Sequence, residues 1–344
     1  MKKKTSHVTI TEVAEYAGVS KSTVSRYING KADAISPQKV KKIKKAIEDL
    51  NYRPSKLAQG LKVRKSKLIG FVVADITNPF SVAALRGVEE VCDQYGYSIM
   101  VCNTDNSPEK EREMLFKLID HSIEGLILNA TGQNADVLQS FAAQDVPVVL
   151  IDRKMPDMKL DTVTTDNRSI TAEILQIIYS KGYTEVALFT EPIASISPRA
   201  ERASAYKEIA AAHNWDYLPR MYEIDVKSKA QLTQAVTAFL HENPTLHENP
   251  TRKKAILASN GLILLKIISC MAELGVSIPE DAGIAGFDDT EWYKLIGPGI
   301  TTIAQPSHDM GVAAMERILK RLEGDTGAPQ TIQLNAEVIM RQSL

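Results

Sequence analysis

Residues 8–30, Val8-Thr-Ile-Thr-Glu-Val-Ala-Glu-Tyr-Ala-Gly-Val-Ser-Lys-Ser-Thr-Val-Ser-Arg-Tyr-Ile-Asn-Gly30, constrain the start of this chain more tightly than any other stretch. They read as two short helices joined by a tight turn. Thr9 and Glu12 stand at capping-box spacing, so a hydroxyl and a carboxylate can each satisfy an orphan N–H of the first turn. Ile10, Val13, Ala14 and Ala17 recur at helical spacing and form one apolar stripe. Gly18 follows where a left-handed residue ends a helix without steric cost. Ser20 is an N-cap for the next helix, and Val24 and Ile28 give that helix an inward face. Lys21, Ser22, Ser25 and Arg26 are left pointing outward. A helix-turn-helix whose second helix presents small polar and basic groups has the chemistry of a DNA major-groove reader.

A surface helical hairpin would show the same apolar pattern, and charge separates the two readings. Residues 1–67 hold 17 Lys+Arg and 5 Asp+Glu, a net of +12. The whole chain holds 41 and 42, so residues 68–344 hold 24 and 37, a net of −13. A small basic module on an acidic body suits a phosphate-binding headpiece. A third helix opens at Ser36-Pro37, an N-cap followed by proline at the first helical position. Val40, Ile43, Ala46, Ile47 and Leu50 form its inner face. Lys39, Lys41, Lys42, Lys44 and Lys45 surround the outer one, placed for backbone phosphate contact.

After the basic linker 62–67, apolar runs alternate with amphipathic helical stretches. Leu68–Val73, Ser98–Cys102, Gly125–Leu128 and Val146–Ile151 read as buried strands, with helices over Val82–Tyr95, Glu109–His121 and Ala135–Ala142 between them. A second series begins after Asp161. Its strands are Val186–Phe189, Ala255–Ala258 and Gly283–Phe287, and its helices are Arg168–Ser180, Arg199–Ala212, Ala230–His241 and Leu262–Leu274. A helix near His308–Leu322 and a strand at Ala336–Met340 close it. The alternation predicts an α/β body with parallel sheets and right-handed crossovers, and 277 residues suit two subdomains. No apolar run is long enough to span a membrane and no signal peptide is evident. Cys92, Cys102 and Cys270 lack metal or disulfide spacing, which suits the cytoplasm. No cofactor loop, nucleophile elbow or metal set stands out. His241-Glu-Asn-Pro recurs at His247-Glu-Asn-Pro250, a direct repeat that reads as a duplicated surface loop rather than a metal site.

Several separated motifs together resemble the lac repressor family of bacterial transcription regulators (LacI/GalR). They are Val8-Thr-Ile, Val13-Ala-Glu-Tyr-Ala-Gly-Val-Ser20, Thr23-Val-Ser-Arg26, Leu50-Asn-Tyr-Arg-Pro54, Ala58-Gln-Gly-Leu61, Gly286-Phe-Asp-Asp289 and Thr301-Thr-Ile-Ala-Gln305. The resemblance implies a helix-turn-helix domain at 1–54, a hinge helix and linker at 55–67, and a periplasmic-binding-protein-like core at 68–344. That core would consist of two parallel-sheet subdomains, approximately 68–160 plus 293–325 and 161–292 plus 326–344. Lys21, Ser22 and Arg26 would face base edges, Arg26 as a fork on guanine. Ser20, Thr23, Ser25 and Asn29 would touch phosphates. Thr9, Tyr52, Ser55 and Ala58 would complete the DNA face, and Leu61 would wedge into the minor groove. Gly60, where a serine is common, weakens that hinge helix by about 1 kcal/mol relative to alanine.

The resemblance further implies that Asp152, Arg202, Asn260, Asp288 and Gln305 bind a small sugar-like effector. Asp75, Asn78 and Phe80 are secondary candidates. Ala205 stands where glycine is common, Gly261 follows Asn260 where aspartate is common, and Arg199 adds a second arginine before Arg202. Arg199 and Arg153 favour an acidic sugar. The stretch Trp292-Tyr-Lys-Leu-Ile-Gly-Pro-Gly299 resembles regulators of sugar-acid use, which suggests an effector of the 2-keto-3-deoxygluconate or gluconate type. The expected protein is a homodimeric repressor of carbohydrate-utilisation genes. It would bind a palindromic operator and be relieved by the effector. No leucine-heptad tail follows the last predicted strand, which favours a dimer over a tetramer. The alternative is an effector-dependent activator of the same architecture. An enzyme with a fused headpiece would need a catalytic constellation that the sequence lacks.

Overall fold

The computed structural model describes residues 8–52, 66–155, 157–194, 196–212, 220–241 and 253–344. Ser55, Ala58, Gly60 and Leu61 of the expected hinge lie outside the described residues, as does the His-Glu-Asn-Pro repeat beyond His241. The chain divides into two compact units, Met1–Ser66 and Lys67–Leu344.

In the first unit, α1 (Ile10–Ala17), α2 (Lys21–Ile28) and α3 (Pro37–Asp49) surround Val13, Ala14, Ala17, Val24, Ile43 and Ala46. The capping box forms: the Thr9 N–H donates to the Glu12 carboxylate at 2.6 Å, and the Glu12 N–H donates to Thr9 Oγ1 at 3.4 Å. Gly18 ends α1 with φ +62°, the left-handed value expected of it. Ser36 has the extended backbone of a cap but its hydroxyl makes no capping bond. Pro37 at the first helical position removes one of the N–H groups that would need it. Tyr16 donates to Asp49 at 2.9 Å and ties α1 to α3.

The second unit runs β1 (Leu68–Val73), α4 (Pro79–Tyr95), β2 (Ser98–Asn103), α5 (Pro108–Asp120), β3 (Gly125–Leu128), α6 (Ala135–Ala142), β4 (Val148–Ile151) and β5 (Asp161–Thr165). It continues with α7 (Asn167–Ser180), β6 (Tyr183–Thr190), α8 (Ser197–Ala212), β7 (Arg220–Glu223), α9 (Lys229–His241), β8 (Lys253–Ala258), α10 (Gly261–Glu273) and β9 (Gly283–Phe287). It ends with β10 (Thr301–Ala304), α11 (Ser307–Leu322), β11 (Thr331–Leu334) and β12 (Glu337–Ile339). Among the described residues these strands form two six-stranded sheets, ordered β11-β5-β4-β3-β1-β2 and β12-β10-β9-β8-β6-β7. The pairings are parallel apart from β10 with β12. Helices cover both faces, so the central strands read as unbroken apolar runs.

The subdomain boundaries differ from the expected ones. β5 belongs to the first sheet, so residues 161–165 move into the first subdomain. β10 belongs to the second sheet, so residues 293–304 do not join the first subdomain. β11 completes the first sheet, which moves residues 326–334 there as well. β5 escaped the sequence pattern because its run Asp-Thr-Val-Thr-Thr is polar yet fully buried. Its hydroxyls find acceptors close by: Thr162 donates to the Leu160 carbonyl at 3.1 Å and Thr164 to the Asp152 carbonyl at 3.1 Å. β7 and β11 are edge strands, only half-buried, and so carry no apolar run.

The late helix α11 is built into the first subdomain, against α4 and the first sheet. A side chain at Gly311 would meet the Ala84 carbonyl oxygen at 2.0 Å, and one at Gly87 would meet the His308 carbonyl oxygen at 2.0 Å. Asp161 pins the other end of α11. It receives Arg321 Nε at 2.7 Å and the Gln330 N–H at 2.8 Å, and pairs with Arg317 Nε at 2.9 Å. Asp161 is 4% and Arg317 3% exposed. Burial alone raises the Asp161 pKa, but the bonds from Arg321, Gln330 and Arg317 outweigh it and hold it below the ordinary carboxylate value. A lowered folded-state pKa adds stability above the unfolded value, near 3.9, that is lost as pH falls through the folded one. Asp161→Asn leaves Arg317 and Arg321 to share Asp325 as their remaining carboxylate and is expected to cost about 2–4 kcal/mol at pH 7, somewhat less than an unpaired buried charge would. Denaturant melts from pH 7 to pH 3 should show the difference shrinking at the acid end. A constant difference would contradict the assignment.

Candidate functional site

On the first unit, α2 presents Lys21, Ser22 and Arg26 to solvent, with Asn29 just past its end. Lys21 and Arg26 form no ion pair among the described residues, so both charges are available to a polyanion. Ser20 caps α2 by accepting the Thr23 N–H at 3.3 Å, and it shares hydroxyl bonds of 2.8 Å with Ser22 and Thr23. Asn29 Nδ2 donates to Ser25 Oγ at 3.4 Å. This hydroxyl cluster fixes the leading turn of the helix and its orientation. Thr9 is exposed but has its hydroxyl engaged in the capping box. Tyr52 packs half-buried against the core, where burial pushes its phenol pKa upward.

In the second unit, the carboxyl ends of both sheets face a common cleft, the position where open α/β sheets bind ligands. Asp152, Arg202, Asn260, Asp288 and Gln305 all line it, as do Asp75, Asn78, Phe80, Arg153 and Arg199. The empty space there is about 530 Å³, open to solvent. Asp152 and Asp288 occupy corresponding places. Asp152 follows β4 with φ +64° and donates its N–H to Val163 of β5 at 2.8 Å. Asp288 follows β9 with φ +70° and donates its N–H to Ile303 of β10 at 2.9 Å. Aspartate is among the few residues that tolerate this left-handed backbone, and the bend aims one carboxylate from each sheet at the cleft.

Arg202, on α8, is 4% exposed and fully engaged. Its Nε donates to Asn167 Oδ1 at 2.9 Å, Nη1 to the Ser259 carbonyl, and Nη2 to Gln305 Oε1 at 3.1 Å. Its guanidinium lies 3.6 Å from the centre of the Phe287 ring. Burial lowers its pKa, and Asp152 and Asp288 counter that. Gln305 Nε2 donates to Asp288 Oδ1 at 2.7 Å, and the Gly261 N–H donates to Asp288 Oδ2 at 2.9 Å. A Cβ at Gly261 would lie 3.1 Å from Asp288 Cβ, so glycine here leaves room for the carboxylate. Asn260 caps α10 through Ile263 and also donates to Glu191 at 2.7 Å. Glu191 pairs with Arg199 at 2.6 Å.

Asp152 and Arg153 are less complete. Asp152 Oδ1 is buried with no hydrogen-bond partner, and Oδ2 has only a 3.4 Å contact from Asn129. Burial raises the Asp152 pKa against the pull of Arg202 and Arg153. Arg153 is 7% exposed and bonds to the Ala130 carbonyl and to Asn106 Oδ1, neither of them charged. Its Nε is buried with no acceptor. Burial, with the like charge of Arg199, pulls its pKa down to about 10, so it stays a cation at neutral pH. Asn129, Glu191 and Ser259 were not singled out from the sequence. Asn129 and Ser259 directly follow predicted strands and Glu191 lies two residues past one, and that position is the signal that could have found them. Among the described residues no group of His, Cys, Asp or Glu could hold a metal ion, and no helix is long and apolar enough to cross a membrane.

Residues 9–55 match the model of the bacterial regulatory proteins of the lacI family, and residues 175–344 match the periplasmic binding protein-like domain. The chain is 76% identical to the HTH-type transcriptional regulator KdgR of Bacillus subtilis (strain 168) over 345 residues, covering 100% of both proteins. It is 39% identical to the HTH-type transcriptional regulator PtxS of Pseudomonas putida, covering 98% of this chain and 96% of that protein. Its fold is similar to the lac repressor dimer bound to operator and the anti-inducer ONPF. That match has a TM-score of 0.81 and 25% identity, over 98% of this chain and 99% of that one.

Proposed function

We infer the role of the cleft from the premise that this chain belongs to the lacI family of bacterial regulatory proteins and is a DNA-binding transcriptional regulator. The reading is a homodimeric repressor that recognises a palindromic operator through the paired α2 helices. Lys21, Ser22 and Arg26 supply the base contacts and the lysines of α3 contact phosphates. A hydroxylated acid in the cleft relieves repression, of the 2-keto-3-deoxygluconate or gluconate type. Asp152, Arg202, Asn260, Asp288 and Gln305 hold its hydroxyls and carbonyl.

One observation carries the choice of an acid. Asp152 and Arg153 are neighbours on the cavity wall, and each has a buried polar atom without a partner. Buried polar groups are nearly always satisfied, so such a pair calls for a ligand. The carboxylate oxygen needs a hydroxyl donor and the guanidinium needs an acceptor. An anionic acceptor also answers a buried cation that forms no direct ion pair among the described residues. A polyhydroxy acid supplies both groups in one small molecule, whereas a neutral sugar offers Arg153 no charged acceptor in direct contact.

Calorimetric titration with 2-keto-3-deoxygluconate, gluconate and a neutral aldose of equal length tests this. At least one acid is expected to bind tenfold or more tightly than the aldose, and to release operator DNA in a band-shift assay. Arg153→Met should remove most of that preference, because a charge-assisted hydrogen bond contributes about 1.5–3 kcal/mol. Equal binding of acid and neutral sugar would reject the reading.

A further inference from the structure

Lys154 crosses the cleft. It follows β4 on the first subdomain, yet its backbone N–H donates to Ser197 Oγ at 2.8 Å and its Nζ to Glu201 Oε1 at 2.6 Å. Both partners sit on α8 of the second subdomain. The ion pair is at the rim, with the Lys154 side chain 41% and the Glu201 side chain 23% exposed. Glu201 Oε2 accepts from Asn167 Nδ2 at 2.9 Å, and Asn167 Oδ1 accepts from Arg202 Nε at 2.9 Å. From there the bonds continue through Gln305 to Asp288. Asn167 and Gln305 lie where the chain passes between the sheets, the first after β5 and the second after β10.

We propose that Lys154 and Glu201 form a closing latch wired through Asn167 to Arg202, so that cleft closure and the orientation of the effector-binding arginine are one event. Glu201 is a positioning residue here. Opening the cleft takes Lys154 away and leaves one Glu201 oxygen free. The Asn167 amide is then no longer clamped between a neutralised carboxylate and Arg202, and the Arg202 fork loses its fixed bearing. By linkage, a ligand that holds Arg202 in place favours closure to the same extent that closure favours the ligand. This rests on the cleft being the effector site, but not on which effector binds.

The test uses the full-length protein with Glu201→Gln, Lys154→Met, the double variant, and the charge swap Lys154→Glu with Glu201→Lys. Spin labels go on cysteines introduced at the exposed residues Gln133 and Ala230, one on each subdomain. The native Cys92, Cys102 and Cys270 are buried and escape labelling. Each single variant should lengthen and broaden the label-to-label distance in effector-free protein. Each should also weaken binding of 2-keto-3-deoxygluconate or gluconate, whichever the wild type binds, by roughly two- to fivefold, the range of a partly exposed ion pair. The double variant should be no worse than either single one, and the swap should recover the wild-type distance. Unchanged distances in folded single variants, as judged by thermal melting, would overturn the latch, as would additive losses in the double variant. If the distances respond as expected while neither acid binds the wild type, the latch stands and the proposed effector class falls.

Discussion

Arg202→Ala is expected to weaken effector binding by about a hundredfold or more while operator affinity without effector stays within a few fold. The guanidinium bonds to Asn167, Ser259 and Gln305 and rests on the Phe287 ring, so truncation removes contacts to the start of α7, to the loops after β8 and β10, and to β9 together. It also leaves the buried carboxylates Asp152 and Asp288 without the cation that both sense. Removing one member of a buried, hydrogen-bonded charge set costs about 2–5 kcal/mol, and each 1.4 kcal/mol is tenfold in affinity. Arg202→Lys should fail almost as badly, because an ammonium cannot span the Asn167 and Gln305 oxygens as a planar fork does. Calorimetry with the preferred acid, paired with band shifts with and without it, gives the answer. Effector affinity within threefold of wild type would show that Arg202 serves the fold rather than the ligand.

Gly311→Val is expected to be the most damaging single change in the body of the protein. The crossing of α11 on α4 leaves no room for a side chain at Gly311, because the obstructing atom is the Ala84 carbonyl oxygen of the opposing backbone. A flexible side chain could turn aside, whereas a helix backbone must move bodily. Overpacking a tight core costs typically 1–3 kcal/mol and more when backbone is displaced, so a loss of about 4 kcal/mol is expected. In a body of this size that lowers the melting temperature by roughly 10 °C. Gly96→Asn is the control. Gly96, unlike Gly311, has a positive φ, which asparagine tolerates better than most residues, and nothing lies within 4 Å of an added Cβ. A melting temperature within 3 °C of wild type for Gly311→Val would mean that the two helices separate readily.

What was legible beforehand follows the physics of each element. β1, β3, β8 and β9 are buried on both faces and announce themselves as apolar runs, and β9 begins and ends where the sequence places it. β5 hides because threonine hydroxyls can be buried once the backbone satisfies them. β11 hides because an edge strand needs no apolar run. These two, together with β10, decide where the subdomains exchange chain, so the boundaries were misplaced although the architecture was right. The five expected cleft residues came from motif resemblance, and the cavity gathers all of them. Spacing along the chain could not have paired Lys154 with Glu201, 47 residues apart, since only the folded cleft makes them neighbours. The same limit applies to Asp161 and Arg321, which are 160 residues apart.

The docking of α11 and β11 on the first sheet also bears on how the protein is made. A chain emerging from the ribosome presents β1 to β5 early, but the helix that covers α4 and the strand that closes that sheet come after residue 306. Domains ordinarily fold in the order of their synthesis. Here the first subdomain must wait, with Val88, Val91 and Ile127 still lacking the α11 cover they have in the finished fold, until almost the whole chain has been translated. The second subdomain has most of its strands by then and can fold before its predecessor. The nascent regulator therefore passes through a stage in which its earlier half is the unfinished one, and that half is where chaperones should be found attached.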